Sequence, residues 1–301
     1  MKFLQNSNTR IRANRSFGRD IFIYLASDPT VSIGGGFTNP TFTKRTFLDS
    51  LDVLIRHDLP LRVYKINDGR TQIQRTQDPL LPGEYEVESD GYLAVTDAPY
   101  YQRTSSAMST LSSSGRVKSF PAAVRDRDRR CVITGLSTTE RELLQQRWTK
   151  YEAAHIFLWL SIVLDERDGS INSPQNGLLL QWTGHGLFDQ YEISINPNDE
   201  YRIVCFLDDS LGLAGRQLDH VCRDRGHPHH ANNNILFWHF QQAVLANMRA
   251  VGEPIFDEDI PPGSDSMNAI LSGPVPTERM EFELSKRLGD VMRAQGSFLI
   301  K

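Results

Sequence analysis

The chain has 301 residues, 39% of them hydrophobic and 23% charged, with a formal net charge of −4, which describes a globular protein with room for two domains and excludes one that coats nucleic acid non-specifically, since phosphate binding is dominated by Lys and Arg. No apolar stretch is long enough to span a bilayer and the start, Met1 to Asn8, has no signal-peptide core, so the expected location is intracellular, nuclear or cytoplasmic, with no membrane partner. The three cysteines Cys131, Cys205 and Cys222 have no Cys-x-x-Cys spacing and indicate neither a disulfide framework nor a zinc knuckle; Cys131 is expected to pack as a small buried side chain.

Residues 1–103 read as a small N-terminal α+β domain of unknown role. Asp20 to Leu25 and Leu61 to Ile66 predict strands, and between them Leu48, Leu51, Leu54 and Ile55 recur at helical spacing across Phe47 to His57. Pro82-Gly83 predicts a turn that feeds a strand of alternating polarity up to Glu88. The run Gly34-Gly35-Gly36 lacks the Lys-Ser/Thr ending and the strand-loop-helix setting of a phosphate loop, and reads as a flexible turn.

The Ser-rich stretch Thr104 to Gly115 marks a linker over 104–120. Basic residues follow at Arg116, Lys118, Arg125, Arg127, Arg129 and Arg130. Asp126 and Asp128 interleave with these arginines, a pattern that predicts a solvated helix face with internal ion pairs.

Residues 121–250 carry the chemistry. Ala154-His155-Ile156-Phe157-Leu158 reads as a buried strand or its end, and Gly177 to Trp182, opened by Asn176, as a second short strand. Gly184 to Tyr191 predicts a short helix on which His185 and Asp189, four residues apart, share a face. Taken singly, a His at the end of an apolar run is usually a hydrogen-bonded core residue, and Asn-Gly is a common turn dipeptide. Their order with the His-x-x-x-Asp pair is what makes a site.

Further along, His227-Pro228-His229-His230 with Gly226 and Asn232 to Asn234 reads as an exposed loop, not a metal site, and His239 as a buried, hydrogen-bonded residue near the start of an apolar helix. Over 251–301 a Pro- and Gly-rich stretch precedes a helix at Glu278 to Gln295 whose Met280, Leu284, Leu288 and Met292 form an apolar docking stripe.

The series Cys131-Val132-Ile133-Thr134-Gly135, Ala153-Ala154-His155-Ile156, Asn176-Gly177-Leu178-Leu179-Leu180 and His185-Gly186-Leu187-Phe188-Asp189 resembles the HNH (His-Asn-His) endonucleases, in the branch common in fungal hypothetical proteins. The resemblance covers roughly residues 120 to 250 and extends through Tyr191 to Val204 and His239 to Met248. It implies a ββα-metal fold and hydrolysis of phosphodiester bonds, with nucleic acid, above all double-stranded DNA, as the partner. Such chemistry needs a base beside the attacking water and a cation beside the oxygens on which charge builds. The resemblance places His155 as that base, since a neutral imidazole accepts a proton near neutral pH. It places Asn176 as the residue that orients the His155 ring or the loop above it. His185 and Asp189 would hold one divalent cation, Mg²⁺, Mn²⁺ or similar, for which an imidazole and a carboxylate with open water positions are suited.

Two departures from the wider family stand out. Ala154 takes the place where many members carry a further Asp or His ligand, and the segment between His155 and Asn176 is short. These features support a rival expectation, a catalytically inactive module that keeps the fold for nucleic-acid or protein interaction.

Overall fold

The computed structural model describes residues 15–66, 69–101, 103, 119–157 and 171–253. Residues 104–118 of the expected 104–120 linker and the expected helix at 278–295 lie outside the described residues, while Ser119 and Phe120, the last two residues of that expected linker, are already helical. The chain is α+β: a β-rich N-terminal half precedes a mixed second half.

Strands β1 (Ile21–Leu25) and β2 (Asp28–Gly36) lead into helix α1 (Lys44–Leu54), which runs straight into β3 (Ile55–His57); β4 (Arg62–Lys65), β5 (Thr71–Gln72), β6 (Gly83–Glu88) and β7 (Leu93–Val95) follow. Five of these strands form one sheet in the order β2-β1-β6-β4-β5, with β1 and β6 parallel and the other pairs antiparallel, while β3 pairs with β7. Alternation decides which face is buried: Ile21 and Ile23 are buried and Phe22 is exposed, and Tyr85 and Val87 are buried on β6. Helix α1 starts where the Thr43 side chain accepts the Thr46 backbone N–H, and it buries Phe47, Leu48, Leu51 and Leu54. The helix expected over 47–57 stops at Leu54 because Ile55, a β-branched residue, turns extended and pairs with Val95.

The second half contains α2 (Ser119–Asp128), α3 (Glu140–Leu144), β8 (Tyr151–His155), a 3-10 turn (Pro174–Asn176), β9 (Gly177–Gln181), α4 (Trp182–Asp189), β10 (Ile193–Asn196), β11 (Arg202–Cys205), α5 (His220–Arg223) and α6 (Asn233–Met248). Strands β8 and β9 form an antiparallel hairpin with His155 opposite Gly177, α4 follows β9 without a loop, and α2 packs on both strands. Thus strand, strand and helix follow in the expected order, the helix starting two residues before Gly184. Gly177 does more than make a turn: a Cβ there would press to 2.6 Å from Val124 and 2.7 Å from Phe120, so the missing side chain lets α2 lie directly on the hairpin. Cys131 is fully buried in this core, as expected.

Helix α6 is apolar almost all round because it lies between two cores. Its Ile235 and Leu236 join the core of Phe120, Val124, Leu178, Leu180 and Phe188. Its Phe240, Val244 and Met248 join the core of Ile21, Ile23, Phe47, Leu51 and Tyr85, which also takes in Tyr191, Val204 and Phe206.

Two expectations are corrected. The glycines Gly34 to Gly36 are not a flexible turn but the buried end of β2, paired with β1. A Cβ on Gly34 would fall on the Met248 carbonyl, so glycine lets the end of α6 lie against the strand. The Arg/Asp alternation is not wholly a solvated face either. Asp126 and Arg129 do form an exposed pair at 3.7 Å, but Arg127 and Asp128 are buried against each other, with side chains 1% and 0% exposed. Arg127 also donates to the carbonyls of Pro174, Gly177 and His229, and Asp128 accepts the Leu179 N–H at 2.8 Å. Reading the period of charge alone missed this because two of the residues turn inward to bolt α2 onto the hairpin.

Candidate active site

His155 ends β8, Asn176 ends the 3-10 turn beside it, and His185 and Asp189 lie on α4, so the hairpin and the helix that follows it carry all four residues that the sequence singled out. The His155 imidazole is 5% exposed and stacks on Phe120, with ring centroids 3.9 Å apart and planes 11° from parallel. Its Nε2 is 3.2 Å from the side-chain oxygen of Asn172, and an N–H donated there leaves the lone pair on Nδ1. Nδ1 is buried and has no hydrogen-bond partner among the described residues. Burial pushes the His155 pKa down to about 4, with the charges of Arg103 and His185 adding to the fall and the Asn172 bond and the Asp189 charge opposing it. The ring is therefore neutral at pH 7.

Asn176 is fully buried, and its side chain makes no hydrogen bond to the His155 ring among the described residues. Its side chain accepts the Phe157 N–H at 2.8 Å and donates to the carbonyls of Phe157 and Ile171, both at 2.9 Å. It thus ties the chain leaving β8 to the chain entering β9, which fixes the backbone on either side of His155.

His185 stands between two carboxylates. Its Nδ1 is 2.6 Å from Glu152 and its Nε2 is 3.2 Å from Asp189. Burial works against protonation of this ring, but the hydrogen bond and charge of Asp189, followed by those of Glu152, outweigh it and raise the pKa. Asp189 is largely buried; burial alone would raise its pKa, yet Arg103 and His185 hold it down at about 2.

The donor chemistry fits a divalent ion in part. Two cis ligands with bonds of about 2.0–2.3 Å lie about 3 Å apart, close to the His185 to Asp189 separation, and the Asp189 oxygen facing His185 is not the one that Arg103 takes. Glu152 on the other ring nitrogen is the support that a metal-bound histidine commonly has. Among the described residues no group of three or more His, Cys, Asp or Glu side chains could hold an ion unaided, so waters and substrate oxygens would complete the shell of an ion held here.

Sequence reasoning missed Glu152, Asn172 and Arg103. Glu152 was visible in the Glu-Ala-Ala-His run but gave no sign of facing α4. Arg103 reaches the site from outside the motifs: its buried guanidinium donates to the backbone carbonyls of His155 and Ile156 and pairs with Asp189 at 2.8 Å. Residues from elsewhere also fasten the last turn of α4. Nε2 of His239 donates to the Phe188 carbonyl at 3.1 Å, Arg15 donates to that of Gln190 at 2.8 Å and Asn247 to that of Tyr191 at 2.7 Å. Tyr191 closes the helix in the left-handed region at φ 58°, a conformation that costs a non-glycine residue about 1–2 kcal/mol and that these bonds hold in place. His239 is thus the buried, hydrogen-bonded residue expected, with burial keeping it neutral, and its Nδ1 accepts the Ser194 hydroxyl at 2.7 Å. His227, His229 and His230 lie in a loop between α5 and α6.

Two family models match the chain. Residues 131–196 match the model described as HNH endonuclease. Residues 18–94 match a model described as a domain of unknown function (DUF8573). No curated protein and no solved structure matches the chain. An HNH endonuclease domain points to nuclease-type function and to nucleic acid as the partner, and the family generally uses a divalent metal. Among the described residues no helix is long and apolar enough to cross a membrane.

Proposed function

We propose that the HNH endonuclease domain is catalytically competent and hydrolyses DNA phosphodiester bonds with one divalent cation, Mg²⁺ or Mn²⁺. His155 is the general base, Asn176 holds the backbone beside it, and His185 and Asp189 form the metal side. The observation that carries this reading is Nδ1 of His155, a buried acceptor without a donor among the described residues, on a ring whose other nitrogen is already held. Leaving such an atom unsatisfied costs about 1–3 kcal/mol, a cost that makes sense where the missing partner is the attacking water.

The proton then has a defined path. Nδ1 takes it from water, and the imidazolium that forms keeps its Nε2–H on Asn172. With a pKa of about 4 the ring is a weak base while the site holds no substrate. A phosphodiester docked beside it adds negative charge, which favours the imidazolium and moves the pKa toward the working range. A bound cation would supply Lewis acidity for the charge that builds on the phosphoryl and leaving oxygens. Support for a DNA substrate is the endonuclease description of the matching family.

A second reading, an inactive interaction module, is favoured by one observation: His185 is closed between Glu152 and Asp189, while Ala154 offers no ligand. Plasmid nicking separates the two. The purified chain with Mg²⁺, Mn²⁺ or EDTA, run beside His155→Ala and His185→Ala proteins of equal folding, is expected to nick only with cation and only as wild type. No cleavage with any cation by the folded wild type would establish the module instead.

A further inference from the structure

We propose that Arg103 is the positioning residue of this site, a side chain from outside the family-matched segment that holds the base-bearing strand end and the metal-side carboxylate in register. The proposal rests on the nuclease reading above and adds to it a residue that the HNH segment, 131–196, does not contain.

The geometry is specific. One guanidinium, its side chain 2% exposed, donates to the carbonyls of His155 and Ile156 on one side and pairs with the Asp189 carboxylate on the other. Nε and Nη2 share the same Asp189 oxygen, at 3.0 and 2.8 Å, which leaves the second oxygen facing His185. The guanidinium carbon lies 5.2 Å from the Phe188 ring centroid, so the last turn of α4 is held through a second contact. Burying a cation is costly unless its hydrogen bonds are met, and here they are met by the two elements whose separation sets the distance from base to metal side. A planar fork can serve acceptors in three directions at once; a lysine ammonium on a flexible stem cannot do so from the same place. Arg103 touches no reacting atom, and it acts by fixing where His155 and Asp189 stand.

The test uses the full chain with Arg103→Lys, which keeps the charge and loses the fork, and Arg103→Gln, which buries no charge and keeps the test open if lysine unfolds the site. Three quantities are read: thermal unfolding, Mn²⁺ affinity by calorimetry without nucleic acid, and separate kcat and KM values on a fluorescent DNA duplex. Expected are folded variants with KM within twofold of wild type, kcat lowered by about tenfold to a hundredfold and Mn²⁺ bound about tenfold more weakly, because displacements of an ångström carry penalties of this size. Variants that melt earlier but keep kcat and Mn²⁺ affinity would overturn the proposal and leave Arg103 a structural residue only. Failure of the nuclease reading shows differently, in the wild type. If that protein binds Mn²⁺ and does not cleave, the activity falls and the Mn²⁺ shift of the variants still decides on Arg103. If it neither binds nor cleaves, both readings fall.

Discussion

Acidification tests the buried His155 directly. In the unfolded chain this ring takes up a proton near pH 6.5, whereas in the fold burial holds its pKa at about 4. Between these values the unfolded state binds more protons, so stability rises with pH. The stability tied to the neutral ring is complete above pH 6.5 and is lost progressively as the pH falls to about 4. A gap of about 2.5 pH units at about 1.4 kcal/mol each comes to ~3 kcal/mol, and with the residue 5% exposed no large discount for solvent applies. Other groups, Asp189 and His239 among them, also lose stability in acid, so the measured quantity is a difference between proteins. Urea unfolding of wild type and His155→Phe at pH 7, 6, 5 and 4 is expected to show wild type losing about 3 kcal/mol more across that range. The ring protons of His155 should titrate near pH 4 by NMR in the same folded protein. A difference below about 1 kcal/mol, or a ring midpoint near 6.5, would refute the claim that this imidazole is buried and neutral.

Two further changes test the scaffold. Asp128→Ala removes one half of a buried ion pair and the acceptor for Leu179, and is expected to cost about 3–5 kcal/mol in urea unfolding; Asp126→Ala, two residues earlier and exposed, should cost under about 0.5 kcal/mol, and equal effects would contradict the inward turn of Asp128. Gly34→Ala forces a methyl group onto the Met248 carbonyl and is expected to cost about 1–3 kcal/mol and to speed amide exchange in the last turns of α6, so a neutral alanine would mean that the strand and helix do not approach as described.

The strands and helix of the candidate site were legible because their signals are local. Three short segments, each with its own periodicity, carry His155, Asn176 and the His185–Asp189 pair, and the order of those segments is the order in which β8, β9 and α4 assemble. The one-turn spacing of His185 and Asp189 placed both on one helix face, and their side chains meet at 3.2 Å. Local reading failed where a tertiary contact decided the outcome. The glycines at 34 to 36 carry turn chemistry, yet the approach of α6 makes them strand, and Arg127 and Asp128 carry surface composition, yet the hairpin draws them inward.

The same distinction explains why the supports of the site were out of reach. Arg103 is 52 residues from His155 and 86 from Asp189, and Arg15 is 175 from Gln190. No period or spacing in a single sequence encodes a hydrogen bond across such a distance. A site has two layers of information: the reacting groups, clustered in sequence because a hairpin and a helix present them, and the groups that aim them, contributed by whatever packs behind. In this chain what packs behind α4 belongs to both halves of the molecule. Tyr191, at the foot of that helix, lies in the same core as Ile21, Phe47 and Phe240, while Phe188, one turn earlier, lies in the other. The end of α4 is therefore where the two cores meet, and Asp189 stands between them. Changes that loosen the N-terminal sheet should reach Asp189 and its His185 partner through this junction before they reach His155, whose ring rests on Phe120 within the second core.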